Sequence, residues 1–175
     1  MNTQTLPTHA LPPPVPGPSW LPHPGTYGAA GDRRIVELTT LLGPLPTLRR
    51  RVTADGATLT VAPSLDDCAL SLKLTGTALE GEELTFVSTA IEPCANDARL
   101  RVSGELATGD TTVPGFPGTL ALRVVERTDT SLLVLGTIRL RYRPLRRTTG
   151  FALSRIRPAD RLRLLIAAEF TCRPA

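Results

Sequence analysis

Residues 83–126, ELTFVSTAIEPCANDARLRVSGELATGDTTVPGFPGTLALRVVE, contain three runs in which apolar and polar residues alternate. Leu84, Phe86 and Ser88 share one side, with Glu83, Thr85 and Val87 on the other. Leu100, Val102, Gly104 and Leu106 oppose Arg99, Arg101, Ser103 and Glu105, and Leu120, Leu122 and Val124 oppose Thr119, Ala121 and Arg123. Successive side chains on a strand point to opposite faces, so a period of two predicts strands with one buried and one wetted face. Turn-forming residues separate the runs, at Pro93–Asp97 and at Gly109–Gly118. The stretch predicts an antiparallel three-strand meander.

Outside the meander the same texture continues. Arg33–Leu42 is apolar and β-branched and stops at Gly43-Pro44. Leu48–Thr53 and Ala57–Ala62 flank Ala54-Asp55-Gly56, which reads as a hairpin turn. Cys68–Leu74, Leu132–Arg143, Thr148–Ser154 and Leu162–Phe170 complete the set, and helical periodicity is confined to a single turn near Arg157–Arg161. These spacings suit a sandwich or an up-and-down barrel, and closure protects the edges of strands this apolar. The expected fold is all-β: one antiparallel up-and-down barrel of about eight to ten strands over residues 32–175.

Residues 1–31 differ in kind. They hold eight of the 17 prolines and no Asp, Glu, Lys or Arg. Proline favours extended, unpaired backbone, so this segment is expected to be a disordered tail or a lid that packs Trp20 onto the barrel. No apolar run reaches the roughly 18 residues of a membrane span, and no basic-then-apolar leader opens the chain. Cys68, Cys94 and Cys172 are odd in number and far apart. That usage suits reduced thiols and a cytoplasmic location.

Charge is unevenly spread. Of the 20 basic residues only Lys73 is not arginine, and nine arginines lie between Arg139 and Arg163 against one acid, Asp160. The net charge of +4 therefore divides into +8 there and −4 elsewhere. Three readings apply: a solvated basic face, a rim that holds the anionic head of a ligand, or a surface for an acidic partner such as a carrier protein. Nucleic acid is disfavoured because aromatic residues are not interleaved with the arginines.

Several segments resemble the YceI-like family, bacterial lipocalin-like barrels that bind isoprenoid or fatty-acyl lipids. LTFVSTAIEP (84–93) is similar to the family strand I-x-F-x-S-T-x-I. RVSGELATGDTTVPGFPGTL (101–120) is similar to its following hairpin through Gly104, Leu106, Gly109, Thr112 and Pro114. FALSRIRPADR (151–161) resembles its late strand through Phe151, Ile156, Arg157 and Asp160, and GTYGAAGDRRIVEL (25–38) its opening one. TGTALEGEE (75–83) stands where the family carries R-D-x-H-L and F-F-D. The resemblance implies a closed barrel with an apolar interior ligand.

Catalytic motifs are sparse. Both histidines, His9 and His23, fall in the tail, and no nucleophile elbow, phosphate loop or metal-ligand spacing occurs. No cofactor and no metal are expected. Glu37 is the single acidic candidate: it stands among apolar residues on the first strand, and an inward orientation would raise its pKa. The expected ligand wall is Leu72, Phe86, Val102, Leu122, Ile138, Tyr142, Phe151 and Leu164, with Trp20 from the tail. The expected function is binding of an elongated apolar chain (polyprenyl, acyl or polyketide) inside the barrel. The alternative is a cofactor-free cyclase that folds a linear polyene by shape and water exclusion; a third reading is a barrel filled by its own side chains. The expected partners are the apolar ligand, an acidic carrier protein and a second copy of the chain.

Overall fold

The computed structural model describes residues 22–94, 98–109, 113–153 and 159–172. Eight antiparallel strands follow one another in sequence order and close into a barrel: β1 (Gly25–Leu42), β2 (Leu45–Val61), β3 (Ala69–Thr75), β4 (Leu84–Pro93), β5 (Arg99–Thr108), β6 (Phe116–Arg127), β7 (Ser131–Arg141) and β8 (Arg161–Cys172). Closure comes from β1 pairing with both β2 and β8, from Leu42↔Leu45 at one end to Tyr27↔Cys172 at the other. The meander read from residues 83–126 forms β4, β5 and β6 in the expected pairing, with Phe86↔Leu106 and Val102↔Leu120 in register.

Alternation decides the inside. Leu84 and Phe86, Leu100, Val102 and Leu106, and Leu120, Leu122 and Val124 are all buried, whereas Arg99, Arg101, Glu105, Ala121 and Arg123 are exposed. Membrane-spanning barrels show the reverse, with apolar side chains out and polar ones in. Residues 25–31, at the end of the Pro-rich segment and also the start of the family-like opening strand, are strand.

Two expectations from sequence are corrected. Ala54-Asp55-Gly56 is a bulge, not a hairpin: β2 runs through it, pairing Ala54 with Leu74 and Gly56 with Lys73 and leaving Asp55 as the extra residue. β1 bulges beside it, between Gly28 and Val36. The Arg34 guanidinium fixes both irregularities, donating to the Ala29 carbonyl at 2.8 Å and to the Asp55 carbonyl at 3.0 Å. A turn dipeptide is locally ambiguous; here a distant donor selects the bulge.

The second correction concerns Leu132–Arg143 and Thr148–Ser154. β7 ends at Arg141, and Tyr142–Thr149 is a helix, α1. Pro144 has no N–H for a strand ladder but is tolerated in the first turn of a helix. Tyr142, Leu145 and Thr149 make the buried side and Arg143, Arg146 and Arg147 the exposed one. Gly150, left-handed at φ 73°, ends the helix by donating its N–H to the Arg146 carbonyl. Asp160 ties this end together: its carbonyl accepts from Tyr142 N–H, its N–H donates to Leu41, and its carboxylate accepts from Gly43 N–H.

Candidate functional site

The two barrel ends are built differently. At one end lie α1, the short turn Thr77–Leu79 and the β1–β2 hairpin, and Leu79, Leu145 and Phe151 are fully buried there. Phe151 N–H donates to Thr149 Oγ1, and Leu153 N–H donates to the Tyr142 hydroxyl at 2.9 Å, so the plug satisfies its own polar groups. The other end, formed by the first residues of β1 and the last of β8, carries no α-helix among the described residues, only the single 3-10 turn Leu65–Asp67.

An enclosed cavity of about 20 Å³ sits toward that second end. Its wall is apolar and includes Val61, Leu70, Val102, Leu122, Val134 and Phe170, from β2, β3, β5, β6, β7 and β8. A space of this size admits about one water-sized group, and an apolar lining offers water no partners. Further along the barrel, the interior side chains Leu74, Phe86, Leu106, Leu120 and Ile138 are fully buried. One wall residue is not on a strand: Leu65, in the turn Leu65–Asp67 between β2 and β3. Ala62–Cys68 folds over the mouth and is held by the buried Cys68 thiol, which accepts from Ala62 N–H at 3.3 Å and donates to the Ser64 carbonyl at 3.4 Å. Ser64 caps the turn by accepting from Asp66 N–H. Tyr27 stands at the same mouth, 1% exposed, donating its hydroxyl to the His23 carbonyl at 2.7 Å. Burial chiefly, then the nearby Cys172 and Asp129, raises its pKa above the ordinary tyrosine value.

Of the residues expected to wall a ligand, Val102 and Leu122 line the cavity. Leu72, Phe86, Ile138 and Leu164 are buried in the packed middle, where Leu72 is in register with Phe86 and Ile138 with Leu164. Tyr142 and Phe151 belong to the plug. Trp20 lies outside the described residues, as does the first part of the helical turn read over Arg157–Arg161; its described remainder is not helical, and Arg161 opens β8. Glu37 does not enter the barrel: Val36 and Leu38 take the inner side, so Glu37 points outward and accepts from Arg49 Nε at 3.0 Å. Arg139, Arg141, Arg161 and Arg163 are likewise on the outer face, near the α1 end and away from the cavity mouth. Among the described residues, no three His, Cys, Asp or Glu side chains come together to hold a metal.

A second concave feature lies on the outside, where an open groove of about 610 Å³ crosses β1, β8, β7, β6 and β5. Ile35, Leu135, Leu165 and Ala167 form its floor, and Glu37, Arg99 and Arg123 its edges. Sequence reading passed over it, although a signal was present: in LRLLIAAEF (162–170) the outward parity carries the apolar pair Leu165 and Ala167 between Arg163 and Glu169, which a barrel with a wetted exterior does not require. Comparison with known proteins gave no match to a family model and no significant match to a curated protein.

Proposed function

We propose that the chain binds the apolar end of a ligand at the mouth of the barrel, in the space now walled by Leu65, Val102 and Leu122. The observation that carries this reading is the enclosed cavity at the end without an α-helix among the described residues, with a wholly apolar wall and one wall residue, Leu65, in the turn between β2 and β3. Burial of apolar surface would supply the affinity, at about 25 cal/mol per Å². The Ala62–Cys68 turn must lift for entry, because about 20 Å³ holds no chain. Family-like lipid binding, suggested by residues 84–120, is consistent with an apolar occupant. The small volume favours binding over cyclisation, which needs a chamber large enough to fold a chain. It also separates any ligand tail from the C-terminal arginines, so a head group would meet the mouth instead.

Titration with a homologous series of fatty acids tests the proposal. Affinity is expected to rise with chain length and to fall about tenfold or more in Val102→Trp, whose indole fills the space. Equal affinity in Val102→Trp and the unsubstituted chain would overturn it.

A further inference from the structure

On the outer face of β7 and β8, Arg139 is in register with Arg163, and Arg141 with Arg161. Neighbouring strands are about 5 Å apart and alternate residues about 7 Å, so four guanidinium groups share one small rectangle. Like charges directly opposite each other destabilise a sheet. Neutralisation nearby is slight. Asp160 approaches Arg161 Nε only to 3.9 Å, Glu37 is engaged by Arg49, and among the described residues Arg139, Arg141 and Arg163 form no ion pair. Exposed Arg143, Arg146 and Arg147 on α1 add to the same end.

A second observation lies in the same row. Thr39 on β1 is in register with Arg163 and is 0% exposed although it faces outward. Its Oγ1 and Arg163 Nε are both screened from water and have no hydrogen-bond partner. Buried polar atoms are nearly always satisfied. Arg163 Nε–H donates and the Thr39 hydroxyl can donate, so an oxyanion seated among the arginines, by drawing the Arg163 guanidinium outward, would supply acceptors to both.

We propose that this face, centred on Arg163 and bounded by Arg139, Arg141, Arg161 and Thr39, binds a phosphate or diphosphate group. Arginine suits it: the guanidinium presents paired N–H donors matched to two oxygens of a phosphoryl group. Two arginine pairs about 7 Å apart along the strands favour a diphosphate over a single phosphate. The site shares no residue with the barrel mouth, so it stands or falls separately from the apolar ligand.

The test is calorimetric titration of the full chain with inorganic pyrophosphate at constant ionic strength. Saturable binding is expected, weakened about tenfold or more in Arg139→Gln/Arg163→Gln and unchanged in Arg99→Gln/Arg123→Gln, which removes the same charge elsewhere. In the unsubstituted chain, the Arg163 Nε–H resonance should shift along the same isotherm, which guards against a variant that misfolds. Geranyl diphosphate separates the sources. Equal affinity assigns the site to the free phosphate group, and tighter binding assigns it to a phosphorylated lipid lying along Leu165 and Leu135; either supports the site. No saturable uptake at constant ionic strength, or equal weakening in both double variants, would overturn it.

Discussion

The Phe86 ring lies over Gly104 so closely that a Cβ at residue 104 would stand 2.6 Å from Phe86 Cζ and 2.4 Å from the Val87 carbonyl oxygen. The arrangement recurs around the wall. Leu106 covers Gly118, where a Cβ would meet Leu106 Cδ1 at 2.4 Å, and Leu120 covers Gly136, at 2.7 Å. On three successive strand pairs a large side chain leans across a glycine of the next strand. Glycine in a strand marks close approach and allows the tight curvature that closure requires.

Substitution should separate the three sites. In Gly104→Ala the clash includes backbone, which cannot rotate away, so a loss of about 3 kcal/mol is expected. In Gly118→Ala and Gly136→Ala the nearest atoms are ends of leucine side chains, and about 1 kcal/mol is expected. Phe86→Leu should not rescue Gly104→Ala, because the Val87 carbonyl remains. Urea denaturation of the four variants measures this ordering; equal losses would refute the distinction.

Arg34→Ala should cost about 2 kcal/mol, since its guanidinium makes charge-assisted bonds to two bulge carbonyls. Arg34→Lys should recover only part, an ammonium lacking the paired planar donors. Hydrogen exchange near Asp55 is expected to accelerate in both.

Tyr27 predicts a specific alkaline lability. Its folded pKa is raised above 10.0, so the folded chain holds that proton more tightly than the unfolded chain. The associated stability is complete below pH 10.0 and is lost as pH rises through the folded value. Tyr27→Phe should remove this component of the alkaline slope while losing the bond to His23. An unchanged slope between the two proteins, in denaturation at several pH values, would contradict it.

Cys68→Ala should loosen the turn over the cavity. Loss of the thiol leaves Ala62 N–H without its acceptor, with about 1 kcal/mol expected. The Ala62 amide should exchange faster, while the Leu153 amide at the plugged end should not. Exchange accelerated equally at both ends would mean that Cys68 supports the whole barrel and not its mouth.

These contacts show what was legible in sequence and what was not. The meander could be read because Arg99–Thr108 and Phe116–Arg127 each bury one parity, and Leu84–Pro93 does so up to the bulge between Ser88 and Ala90, beyond which Ile91 is buried instead; that pattern is local. The bulge at Asp55 depends on Arg34, 21 residues away, and no window around Asp-Gly contains it. Helix α1 has about two turns, too few for helical periodicity to stand out beside strands. Interior residues were readable as a set, but only the position of α1 decides which end is plugged. That is why Val102 and Leu122 meet the cavity while Tyr142 and Phe151 do not. Glu37 was a question of parity, settled by Val36 and Leu38 turning inward.

Binding at the mouth is most directly tested by methyl NMR of the chain titrated with dodecanoic acid. Saturable shifts are expected at Leu65, Val102, Leu122 and Val134, with Leu145 and Leu79 at the plugged end unmoved. Shifts confined to Ile35, Leu135 and Leu165 on the outer groove, or none that saturate, would contradict the account.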